Sequence, residues 1–104
     1  MDASEFKDVF AAEAHDYLQA LNEDLLTLET NPNDRNALDE MFRAAHSLKG
    51  MSSTMGYQAL ADFTHQMENV LDSLRGGKLV VTENVVNTLF TALDSLELLR
   101  SEEH

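Results

Sequence analysis

The chain has 104 residues, 43% of them hydrophobic, and 19 acidic residues against seven Lys and Arg give it a formal net charge of −12. A chain of this size makes one domain with its own core, while its acidity repels a phosphate backbone or an anionic bilayer and so argues against nucleic acid and membrane as partners. The lack of cysteine excludes disulfides, thiolate metal sites and thiol nucleophiles.

No apolar run reaches membrane length and no signal-like stretch follows a basic start, so a soluble, cytoplasmic protein is expected. A partner that docks by electrostatics should present a neutral or basic face, in a contact that weakens with salt.

The first element carries Phe6, Val9, Phe10, Tyr17, Leu18, Leu21, Leu25 and Leu28 at steps of three and four, bridged by Ala14, which is a helical stripe. Asp2 with Glu5, or Ser4, can cap its start, and Pro32 ends it by removing an N–H and biasing Asn31 away from helix. The helix is placed at 4–29. A second stripe runs through Leu38, Met41, Phe42, Ala45, Leu48 and then Met51 or Met55, with Asn33 or Asp34 as cap and Gly56 as a left-handed stop, giving a helix over 34–53.

The third, over 57–75, is carried by Leu60, Phe63, Met67, Val70, Leu71 and Leu74 and ends at the two glycines of "RGGK". "LVV" at 79–81 has strand composition but no partner strand. The fourth helix, over 82–101, buries Val85, Leu89, Leu93, Leu96 and Leu99. Four amphipathic helices joined by short connections predict an all-α, antiparallel up-down-up-down four-helix bundle, a single domain over 1–104 that is monomeric when isolated.

Two histidines lie in the middle helices. At about 100° per residue, and with Leu38 at zero, the second stripe centres near roughly −25° and His46 falls near +80°, on its partly exposed flank. Lys49 is one turn further on, and Gly50 follows His46 by four residues with no side chain to cover the ring. In the third helix, with Leu60 at zero, Glu68 falls near +80° and His65 near +140°, against an apolar centre near about −30°. Glu68 is thus displaced in the same sense as His46, and in antiparallel neighbours the two side chains can share one seam.

A carboxylate on one ring nitrogen fixes the tautomer and leaves the other nitrogen with its lone pair outward. That makes a nucleophile for phosphorus chemistry. Lys49 could neutralise charge on the transferred group.

"FRAAHSLKGMSSTMG" (42–56) followed by "HQMENVLD" (65–72) resembles the histidine-phosphotransfer domains of two-component signalling, in particular those at the N-terminus of CheA-type chemotaxis histidine kinases. The opening "FAAEAHDYLQALNEDLLTLE" (10–29) extends the likeness over nearly the whole chain. The resemblance implies that His46 is the phosphoacceptor, that Glu68 orients its imidazole, that Lys49 and His65 complete a polar network, and that Gly50 keeps the site open.

It further implies a phosphoryl group that comes from ATP on a separate catalytic domain and passes to an aspartate of a response regulator of the CheY or CheB type. This domain would itself bind no cofactor and no metal, with ATP and Mg on the catalytic domain and Mg on the regulator. With four glycines and no Gly-rich nucleotide loop, the chain would be a transferase's substrate and relay, not a self-sufficient kinase.

Two other functions compete. A metal-binding bundle would use His46, His65 and Glu68 across two helices, although carboxylate-bridged bundle sites use Glu-x-x-His from several helices, and here a single His-x-x-Glu occurs. A helical adaptor without chemistry would leave the glycine and the lysine beside His46 unexplained. His15 and His104 receive no role, and Met41, Met51, Met55 and Met67 are assigned to the core.

Overall fold

The computed structural model describes residues 2–102, without the side chain of Glu102; His104 lies outside the described residues. Helices α1 (Ala3–Thr30), α2 (Arg35–Thr54), α3 (Gln58–Arg75) and α4 (Glu83–Glu102) account for almost all of them. Each end lies within one residue of its expected position. The reasons are local. Asp2 accepts from Glu5 N–H and Asp34 from Ala37 N–H, each meeting a donor that the first helical turn leaves open. Gly56 leaves α2 at φ +77°, a conformation that side chains with a Cβ seldom adopt.

Helix α1 packs on α2 and α4, α2 on α1 and α3, and α3 on α2 and α4, so successive helices are neighbours around a square. This is the up-down-up-down four-helix bundle, elongated at 44 × 20 × 20 Å. Its centre is a continuous column that includes Leu21, Leu25, Leu28, Met41, Leu48, Leu60, Leu71 and Leu96. Ser52 and Thr64 are buried within it, their hydroxyls donating to Leu48 O and Leu60 O, so neither leaves a polar group unsatisfied.

The stripe reading needs three corrections. Phe6 and Val9 are 52% and 43% exposed, because the 28-residue α1 outruns the 20-residue α2 by roughly two turns and its first residues have little to pack against. Val70 is exposed beside the α3–α4 groove, and in α4 the buried position is Val86, with Val85 and Leu99 only half-buried. Residues 79–82 form neither strand nor helix, and no strand occurs among the described residues.

One carboxyl works against the fold. Asp24, on the α1 side facing α2, has its Oδ2 buried without a hydrogen-bond partner. Burial, the neighbouring Glu40 carboxyl and the charges of Glu23 and Asp34 raise its pKa to about 6. A carboxyl raised from 3.8 to about 6 favours the fold fully below pH 3.8, and the benefit is lost as pH rises through 6.

At pH 7 the protein therefore holds an ionised Asp24 against like charges. Asp24→Asn, whose amide can donate to Glu40, should stabilise the domain at pH 7 by about 1 kcal/mol after allowance for solvent screening. In Tm this is about 4–8 °C. Melting curves at pH 7 and pH 4 check it: the gain should shrink in acid, and a gain independent of pH would mean that repulsion is not its source.

Candidate functional site

His46 stands on the α2 face toward α3, with its side chain 64% exposed. Its Nδ1 is 2.5 Å from Glu68 Oε2, and Lys49 Nζ donates to Glu68 Oε1 at 2.8 Å. Glu68, with only 10% of its side chain exposed, is the buried member of the three. Both of its oxygens are therefore occupied across the α2–α3 seam.

Burial alone would raise the Glu68 carboxyl, but the hydrogen bonds from Lys49 and His46, with their charges, outweigh it and hold the group below its usual value of 4.5. An ionised carboxylate only accepts. The shared hydrogen is therefore on His46 Nδ1, and in the neutral ring the lone pair is on Nε2. Among the described residues Nε2 has no protein partner, which leaves it open to solvent or to an incoming group.

Three further residues define the surroundings. Gly50 is one turn beyond His46, and a Cβ built there would meet nothing within 4 Å. Phe42, one turn before, lies nearly parallel to the imidazole, with ring centroids 6.3 Å apart and planes at 16°. Arg75 lies over Phe42, its guanidinium carbon 3.7 Å from the ring centroid.

The sequence stripe assigned Phe42 to the core; it is half-buried and does double service. Nothing in the helical period marks the second contact, although the i, i+4 spacing to His46 was available as a signal.

The structure brings together four of the five expected site residues. His65 is exposed and makes no hydrogen bond or ion pair with His46, Glu68 or Lys49. It precedes Glu68 by three residues, and in an antiparallel pair that step moves it away from His46 to the level of Lys49, about one turn off. The direct hydrogen bonds thus join His46, Lys49 and Glu68 alone. The same displacement weakens the metal reading: among the described residues no group of three His, Cys, Asp or Glu side chains converges, and the Lys49 ammonium occupies one Glu68 oxygen.

The Hpt domain family profile matches residues 5–101. The chain belongs to the Hpt domain family. Among curated relatives, the chemotaxis protein CheA of Bacillus subtilis is 52% identical over 97 residues, which cover 93% of this chain. This Hpt domain spans 14–15% of the length of such relatives.

Among solved structures it is similar to the CheA phosphotransferase domain from Thermotoga maritima, with a TM-score of 0.91 and 37% identity, covering 98% of this chain and 97% of that one. The phosphorylated P1 domain of CheA3 in complex with CheY6 from R. sphaeroides shares the fold, with a TM-score of 0.87 at 24% identity over 94% of this chain and 77% of that one.

Proposed function

We propose that this Hpt domain is the phosphorelay module of a chemotaxis histidine kinase, with His46 as its phosphoacceptor. The observation that carries the reading is an exposed imidazole whose Nδ1 proton is held by a buried, ionised carboxylate, so that the free lone pair is on the outward Nε2.

The Nε2 lone pair attacks the γ-phosphorus of ATP held by a separate CheA-type catalytic domain. The N–P bond forms as the P–O bond to ADP breaks, and the ring becomes cationic with its remaining proton shared toward Glu68. Lys49 places a second positive charge one turn away. Onward transfer reverses the polarity: an aspartate oxygen of a CheY- or CheB-type response regulator attacks phosphorus, the N–P bond breaks, and its electron pair returns to Nε2. Nucleotide and Mg belong in this reading to the partner domains, and the relay operates in the cytoplasm, where ATP is available. No helix among the described residues is long and apolar enough to cross a membrane.

Both partners must bring an active site to Nε2. The face beside it supports such docking, since Gly50 leaves room and Phe6, Val9, Met51 and Met55 line a shallow apolar groove next to it. An exposed apolar patch with a polar surround is a common mark of a protein interface.

Gly50→Ala separates fold from access. The added methyl meets open space, so the isolated domain should gain about 0.5–1 kcal/mol of stability from helix propensity. Phosphoryl transfer should slow in the same variant, because the methyl stands where a partner approaches. Thermal melting and transfer kinetics on one preparation read both effects; a variant that melts higher and transfers at the original rate would remove Gly50 from the site.

The reading itself is tested by supplying ATP and a CheA-type catalytic domain in trans and mapping the product by mass spectrometry. An acid-labile, base-stable phosphoryl group on His46 is expected. Label on another residue, or none from a catalytic domain that is active on its own substrate, would overturn it.

A further inference from the structure

A single hydrogen bond does not fix a ring. The ring is anchored through Cβ and turns about χ1 and χ2; one hydrogen bond from Nδ1 to Glu68 constrains only a combination of the two, and Nε2 still sweeps through an arc along what is left. In-line transfer needs that lone pair on one axis, because proximity without orientation recovers little of the available acceleration. A second contact that selects the plane of the ring is required, and it has to come from a group that is itself held.

We propose that Phe42, clamped by Arg75, is the positioning residue that sets the plane of the His46 imidazole. The proposal rests on the relay reading above. Phe42 and His46 are one helical turn apart on α2, and their rings lie within 16° of parallel at a centroid distance of 6.3 Å, an offset stack within the preferred range for aromatic pairs.

The phenyl ring is held from its other end. The Arg75 guanidinium lies over it at 3.7 Å, and the same group reaches Asp39 at 3.5 Å and Asp72 at 3.0 Å. Asp39 precedes Phe42 by three residues and His46 follows it by four, so Arg75 approaches from the side of the turn away from His46. Arg75 is the last residue of α3, and its carbonyl accepts from Arg35 at the start of α2, which ties both helix ends to the clamp.

The resulting order along the seam is guanidinium, phenyl, imidazole. Arginine suits the first place because its planar cation stacks on a ring face while its edges bind carboxylates, which a lysine cannot do at once.

The test uses Phe42→Leu, Phe42→Tyr and Arg75→Gln in the 104-residue chain, with melting curves to establish that each folds. Two readouts follow: the rate of labelling at His46 by a catalytic domain in trans, and the NOEs from the His46 ring protons to the α2 backbone, which report the orientation of the ring without any partner. Phe42→Leu should slow labelling about fivefold and change the ring orientation, Phe42→Tyr should keep both at the parent's values, and Arg75→Gln should slow labelling about twofold.

An unchanged rate in Phe42→Leu overturns the proposal. So does a reduced rate with the parent's ring orientation, which would make Phe42 a packing or docking residue. If the wild-type chain takes no label at all, the relay reading fails, and the ring orientations of the three variants still decide whether the stack holds the ring.

Discussion

His46→Gln should accept no phosphoryl group under conditions that label the parent chain to completion, while melting within a degree or two of it. The first half follows because Gln offers no lone pair of imidazole character, and the site contains no other nitrogen in the same position: Lys49 Nζ is turned to Glu68. The second follows because His46 is largely exposed, Gln is at least as good a helix former, and its amide can still donate to Glu68. Substitutions at such positions usually stay within about 0.5 kcal/mol.

Labelling followed by peptide mapping checks both the loss and its location. His65 is the informative control. It is exposed, lies one turn from Glu68 in sequence and carries the same functional group, so residual label there in His46→Gln would move the acceptor and dissolve the assignment. His65→Gln alone should label normally, since no bond joins His65 to the three-residue cluster.

The central pairing was legible because it depends on angle and on distance from the connecting loop, both of which the sequence carries. His46 and Glu68 are equally displaced from their stripes and lie at matching levels, so antiparallel packing lets them share one seam. Helix ends were legible for a similar reason: Asp34, Pro32, Gly56 and the glycine pair at 76–77 act on their own backbone and need no tertiary partner.

What periodicity misreads is whatever depends on the length or presence of a neighbour. Phe6 and Val9 continue the α1 stripe correctly, yet the helix they belong to outlasts the one that would cover them. Val85 and Val86 both fit the spacing of α4, and only the placement of α4 between α1 and α3 decides which is sealed. His65 shares a helix with Glu68, which made it a plausible third member, but the step of one turn runs opposite to the α2 direction and carries it past His46.

Asp24 and Phe42 escaped for another reason. Each has a plain reading from its own helix, a surface acid and a core aromatic. The charge or ring that alters that reading sits elsewhere: Glu40 on α2 for the first, Arg75 at the end of α3 for the second.

Glu68→Gln should fold, keep His46 as its only acceptor, and take label about 10- to 100-fold more slowly, the usual cost of altering a group that orients a reactive ligand. Gln fills the same buried space, but its amide can present either oxygen or nitrogen to Nδ1. With nitrogen presented, the favoured tautomer carries its proton on Nε2, where it blocks attack; with oxygen presented, the partner is neutral and no longer favours the cationic ring that forms with the N–P bond.

Stability should change by no more than about 1 kcal/mol, since Lys49 is partly exposed and can be solvated when its ion pair is lost. The sign of the pH dependence separates the two effects. The folded-state pKa of Glu68 lies below its ordinary 4.5, so its contribution to stability is present above that pH and is lost as pH falls through the lower, folded value.

The stability gap between the parent chain and Glu68→Gln should therefore be widest near neutrality and close in acid, where a protonated Glu and a Gln are near equivalents. Denaturant melts from pH 7 to pH 3 measure the gap, and stopped-flow labelling at pH 7 measures the rate. A gap that widens in acid would mean that Glu68 is not held ionised by His46 and Lys49. A rate equal to the parent's would mean that the ring finds its working orientation without the carboxylate.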